Sequence, residues 1–285
     1  MFIIVASASV LYFSMNQPNQ DIQGWRPYSR FYVHTTTNTL AHLIDKIGGD
    51  EVGVSPIISS DIEPHDFEPT ANDVITGLSG DLFIMNGAGL DAWASTIVDQ
   101  RSASAQPSLV VLDDSVTDPH FWLDPLAVIS FVEQVRDIFM QIDAEHAEEY
   151  RSNAQTYIEE IQALDERYRT TLAACEKPEI VVAHDAFSYL ADRYGFTAHA
   201  VSGISPEDEP SPNNLIRLTD LMHSHDLSVV FFEETASDRI AQVLADEVGA
   251  TVEVLYTAEI IPAEETYISL MDSNLEKLAG AMLCQ

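Results

Sequence analysis

The chain has 285 residues, 46% hydrophobic and 21% charged, a balance that suits a globular protein with room for two domains. Its formal net charge of -33, with lysine only at Lys46, Lys177 and Lys277, argues against nucleic acid and anionic membrane surfaces as partners. Two cysteines, Cys175 and Cys284, are too few for a disulfide-dense scaffold or a thiolate zinc cluster; they would pair if the last helix returned to the strand after Cys175, which the sequence leaves open.

The chain opens with an apolar stretch at residues 2–13 (FIIVASASVLYF), too short to span a bilayer and suited to a signal-peptide core. No basic residue precedes it, so an upstream start or a retained anchor stays open beside cleavage near Ala6-Ser7-Ala8. Residues 15–28 read as a tether to a folded body. The expectation is an exported protein, in the periplasm or on the outer face of the cytoplasmic membrane.

The body starts with a β-rich run at 30–37 (RFYVHTTT), then a helical segment at 40–47 that stops at Gly48-Gly49. Residues 52–58, 82–85 and 108–112 read as further strands, and the last feeds the stretch DPHFWLDP at 118–125. There each proline fixes its own φ and pushes the preceding Asp towards extended backbone, so His120 sits on a stiff, aromatic-backed turn. An amphipathic helix follows, with Val128, Phe131, Val132, Val135 and Phe139 on one stripe. From 144 to 174 there is neither Gly nor Pro, and apolar residues recur at three- and four-residue steps. Such a helix is longer than a small domain is wide, and it reads as a strut joining two domains rather than part of either core. Strands then recur at 179–183, 197–201, 228–232 and 251–255, and residues 267–283 close the chain as an amphipathic helix. The expected fold is α/β: two lobes, each a roughly four-stranded parallel sheet flanked by helices, bridged by one long helix. The expected boundaries are 1–28 for the signal-like tether, 29–143 for the N-terminal lobe, 144–175 for the linking helix and 176–285 for the C-terminal lobe.

Three histidines share one context. His65 in EPHDFEPT, His120 in DPHFWLDP and His184 in VAHDAF each lie just after a strand, where α/β sheets form their sites. Imidazole suits zinc and other borderline divalent ions, and three histidines plus a carboxylate complete a tetrahedral set. Asp66 and Asp185 could orient two of the rings, although helix capping is the better role for Asp185.

At these residues the sequence resembles the substrate-binding proteins of the zinc and manganese ABC importers, the cluster with a rigid interdomain helix. The matching stretches are HTTTNTLAHLIDKIGGDEVGV, PHDFEPT, DPHFWLDP, HDAFSYLADRYGF, GISPEDEPSP and EETYISLMDSNLEKL, in the family's order. The resemblance implies metal ligands at His65, His120, His184 and Glu265, with Glu264, Glu233 and Glu234 as alternatives for the carboxylate; for Glu233 and Glu234 a solvated acidic surface is the stronger reading. Three nitrogen donors favour zinc, with manganese or iron second. The implied protein is a monomeric, non-enzymatic receptor that delivers a divalent ion to a membrane ABC permease. Its rivals are a zinc hydrolase using the same histidines and a metal-stabilised surface adhesin. The hydrolase lacks a His-Glu-x-x-His helix or a nucleophile motif. The other histidines, His34, His42, His146, His199, His223 and His225, read as packing or surface residues.

Overall fold

The computed structural model describes residues 29–60, 62–113, 115–233 and 239–285. The signal-like segment at 1–28 and Glu234 lie outside the described residues. Among the described residues no helix is long and apolar enough to cross a membrane.

Two parallel sheets are built to one plan. The first contains β1 (Phe31–Thr35), β2 (Val52–Pro56), β3 (Leu82–Gly87) and β4 (Ser108–Leu112), in the order β2-β1-β3-β4. The second contains β5 (Glu179–Val182), β6 (Thr197–Ala200), β7 (Val229–Phe232) and β8 (Thr251–Val254), in the order β6-β5-β7-β8. In each, the strand order reverses beside the first strand, which opens a crevice at the carboxyl ends of the strands. The eight strands coincide with the eight apolar runs of the sequence. Successive side chains point to opposite faces, as in β3, where Leu82 and Ile84 enter the main core while Phe83 and Met85 pack on Ile97 and Ala94.

Helices connect the strands: α1 (Asn38–Gly48), α2 (Ala71–Ser79), α3 (Ser95–Ala103) and α4 (Pro125–Ile142) in the first half, and α6 (Ser188–Tyr194), α7 (Pro212–His225) and α8 (Arg239–Val248) in the second. Their starts follow local chemistry. The Thr37 hydroxyl accepts from the Leu40 N–H to begin α1, and Asp124 accepts from the Leu126 N–H to begin α4, with Pro125 in the first turn. Helix α1 ends where Gly49 adopts φ 54°, a backbone state that costs glycine little.

Between the halves runs α5 (Ala147–Thr171), 25 residues and so roughly 37 Å long. It joins the two sheets, but it is also core. Tyr150, Ala154, Tyr157, Ile161, Leu164 and Tyr168 belong to one continuous apolar cluster that takes in Val33 and Ile84 from the first sheet and Ile180 and Val182 from the second. The reading of a strut outside either core therefore needs correction: a period of 3.6 on one face buries that face, whatever the helix connects. The last helix, α9 (Tyr267–Ala281), packs against α5 and α1, and a disulfide joins Cys175 to Cys284 just beyond it.

Candidate metal centre

Each histidine is placed by the chain around it. His65 lies in the 3₁₀ turn Pro64–Asp66 after β2, with its backbone N–H donating to Glu63 Oε1 at 3.1 Å. His120 begins the 3₁₀ turn Phe121–Leu123; the residue before it is held by Asn86 at the end of β3, whose Nδ2–H donates to Pro119 O at 3.2 Å. His184 follows β5, the strand beside which the second sheet reverses its order.

The three rings meet a carboxylate. His120 Nε2 lies 3.4 Å from His65 Nε2, 3.5 Å from His184 Nε2 and 3.0 Å from Glu259 Oε1, and His65 Nε2 lies 3.2 Å from the same Oε1. One proton on His120 Nε2 cannot serve three neighbours at once, whereas one cation among them serves all four. Bonds of about 2.0–2.1 Å to a tetrahedral zinc put ligand atoms about 3.3–3.4 Å apart. Four of the six separations, from 3.0 to 3.5 Å, bracket that value, and all four atoms fall within 4.8 Å of one another. The centre is enclosed: side-chain exposure is 8% for His65, 0% for His120 and His184, and 2% for Glu259.

Carboxylates behind the rings aim them. Asp118 Oδ1 accepts from His120 Nδ1 at 2.8 Å, and Glu233 Oε1 accepts from His184 Nδ1 at 2.7 Å. Each contact puts the ring proton on Nδ1 and turns the Nε2 lone pair towards the common point. The Thr257 hydroxyl donates to Glu259 Oε2 at 3.0 Å, leaving Oε1 to face the imidazoles. Burial on its own would lower the His120 pKa, but hydrogen bonds and charge from Asp118 and Glu259 outweigh it and push it up to about 9. Burial likewise opposes ionisation of Glu259, yet hydrogen bonds from His120 and His65, with the charges of His120 and His184, hold it well below the usual carboxylate range. The donor set therefore carries a proton that an arriving cation would displace.

Residues 33–281 match the family described as zinc-uptake complex component A, periplasmic (ZnuA). The chain belongs to the ZnuA family. Over 281 residues it is 33% identical to the high-affinity zinc uptake system protein ZnuA of Bacillus subtilis (strain 168), an alignment covering 89% of this chain and 88% of that one. Solved structures share its fold. The Zn(II)-bound ZnuA-like domain of Streptococcus pneumoniae AdcA is 31% identical at a TM-score of 0.78, covering 88% of this chain and 98% of that one. The laminin binding protein Lmb of Streptococcus agalactiae, described as bifunctional with adhesin and metal transporting activity, is 30% identical at a TM-score of 0.81, covering 88% and 99%.

Against the expectations for a ZnuA-type site, the three histidines converge and the carboxylate differs. Glu265 is exposed, and its Oε2 accepts from Ser269 Oγ at 2.7 Å beside the start of α9, outside the cluster. Its neighbour Glu264 is exposed as well. The segment EET leads into a helix whose cap is Thr266, so its acids face solvent around a helix N-terminus, where negative charge is favourable. Glu259 stands in the cluster instead. A signal for it was present: a single acid within LYTAEIIP, just after β8, is what a buried, partnered charge looks like, and strand ends had already marked the histidines. Glu233 is not on an acidic surface; it is 2% exposed and holds the His184 ring. Asp66 is exposed, and Asp185 does not cap α6, whose N-cap is Phe187 with no side-chain cap bond; its Oδ1 accepts from the Ser188 hydroxyl, at 2.9 Å. Of the remaining histidines, His199 and His225 both contact Glu179, at 2.9 and 2.8 Å, away from the centre.

Proposed function

We propose that the chain is an extracytoplasmic receptor that captures one zinc ion between its two sheets and delivers it to a membrane ABC permease. His65, His120, His184 and Glu259 would be the ligands, with lobes 29–143 and 176–285 flanking the linking helix 144–175. The observation that carries this reading is the meeting of three imidazole nitrogens and one carboxylate oxygen, remote in sequence and all within 4.8 Å of one another, in an enclosed centre. Three nitrogen donors favour zinc over manganese or iron. Membership of a zinc-uptake family supports both cargo and permease, and periplasmic relatives support export.

Transport rather than catalysis suits the donor set. Four protein ligands fill a tetrahedral shell and leave no position for a reactive water, which a zinc hydrolase needs. The ion is cargo and undergoes no chemistry. We further read the receptor as a monomer.

Chelator-stripped protein tests the proposal. It should stay folded, rebind one zinc per chain and prefer zinc to manganese in direct competition, and His120→Ala should weaken binding at least about tenfold. Unfolding on stripping would indicate a structural zinc, and unchanged affinity in the His120 variant would remove the site from the account.

A further inference from the structure

We infer that Glu259, although it follows the last strand of the second sheet, is carried by the first half of the molecule, and that Thr39 on α1 is the residue that positions it. This rests on the reading of Glu259 as a ligand.

The second sheet loses hold of the chain at Leu255, whose N–H donates to Phe232 O at 2.9 Å. From there the partners change. Tyr256 is held by Asn274 of α9, its N–H donating to Oδ1 at 2.8 Å and its carbonyl accepting from Nδ2 at 2.7 Å. Thr257 O accepts from the indole N–H of Trp122 at 2.8 Å. Thr39 Oγ1 then lies 2.5 Å from Ala258 O and 2.7 Å from Glu259 O, and the Ile261 N–H donates to Asn38 Oδ1 at 2.8 Å. Tyr267 completes the tie, with its N–H on His42 Nε2 at 3.3 Å and its hydroxyl on Trp122 O at 2.7 Å. Asn38, Thr39 and His42 belong to α1, and Trp122 to the turn beside His120.

Thr39 is suited to this work. A helical threonine often returns its hydroxyl to the carbonyl four residues back, but Thr39 is the second residue of α1 and the residue four before it, Thr35, lies in β1. Its hydroxyl reaches across to another segment and is fully buried there. The carbonyls it meets lie on either side of the Glu259 Cα, and Ala258 has φ 55°, a left-handed state disfavoured for a residue with a Cβ. A conformation of that kind needs an outside tie, and the ligand carboxylate is carried by the very next residue.

The ligands consequently divide three to one. His65, His120 and Glu259 are anchored to the first half, whereas His184 is held by Glu233 at the end of β7 in the second. Any parting of the sheets draws His184 away and leaves the other three together.

Zinc affinity, measured by chelator competition on the full chain, tests this in a double-mutant cycle. Thr39→Val should weaken binding about 10- to 100-fold, the usual cost of removing a group that orients a ligand, and Thr39→Ser, which keeps the hydroxyl, should restore it to within about twofold. On a Glu259→Ala background, Thr39→Val should change affinity by less than about twofold, because the oxygen it positions has gone. Asn38→Ala provides a second route to the same coupling should Thr39→Val not fold. Equal losses in both backgrounds, or wild-type affinity in Thr39→Val, would overturn the positioning role while leaving Glu259 a ligand. Unchanged affinity in Glu259→Ala alone would instead overturn the ligand reading, and the inference with it.

Discussion

His42 offers a stability test with a magnitude set by its surroundings. It lies on α1, where its Nε2 accepts the Tyr267 N–H at 3.3 Å at the first turn of α9. Burial, helped by the charge of Lys46, lowers its pKa from the ordinary 6.5 to about 4. It is thus neutral in the folded protein at neutral pH, and only the unfolded chain takes up its proton as the pH falls through 6.5. Stability is unaffected by His42 above that pH, is lost as the pH falls from 6.5 to about 4, and levels off below. At about 1.4 kcal/mol per pH unit the full loss is about 3 kcal/mol. Urea unfolding of wild-type and His42→Gln proteins, both in chelator so that zinc plays no part, isolates it. Between pH 7.5 and 4.5 the wild type should lose roughly 2–3 kcal/mol more than the variant, whose amide oxygen can still accept from Tyr267 without titrating. Parallel losses in the two proteins would refute the reasoning.

Zinc affinity should rise with pH, by about tenfold per unit between 7 and 9, because Asp118 and Glu259 hold a proton on His120 up to about pH 9 that the metal must displace. Calorimetry in buffers of different ionisation enthalpy should accordingly show release of close to one proton per zinc at pH 7. Replacing the groups behind the rings, by Asp118→Asn or Glu233→Gln, should each weaken zinc binding about 10- to 100-fold at pH 9, whereas Glu265→Gln should leave it unchanged in the same chelator competition. Cys175→Ser with Cys284→Ser opens a bridge between residues 109 apart, and denaturant unfolding should show about 2–5 kcal/mol less stability with the zinc stoichiometry unaltered.

Much of the fold is legible because parallel strands buried on both faces read as short apolar runs, as in LFIM at β3 and VVFF at β7. The histidines are legible for a related reason: each follows such a run, where the sheet delivers side chains to a crevice. What sequence periodicity does not encode is partnership at long range. The strand order, the return of α9 that brings Cys284 to Cys175, and the docking of 256–267 onto α1 all depend on contacts between segments with no local pattern in common. The place of Glu259 beside the three histidines is not legible for that reason: its segment is irregular, with neither a helical nor a strand period. Glu233 could be seen as an acid near the site, but its hold on the His184 ring depends on β7 pairing beside β5, whereas Asp118 reaches His120 from two residues away on the same turn.

The most direct test of the central claim is a crystal of the zinc-loaded protein with anomalous diffraction recorded on both sides of the zinc edge. One strong peak is expected between the sheets, about 2.0–2.1 Å from the Nε2 atoms of His65, His120 and His184 and from Glu259 Oε1. A principal peak bound by Glu265, or one that leaves out any of the three histidines, would contradict the claim.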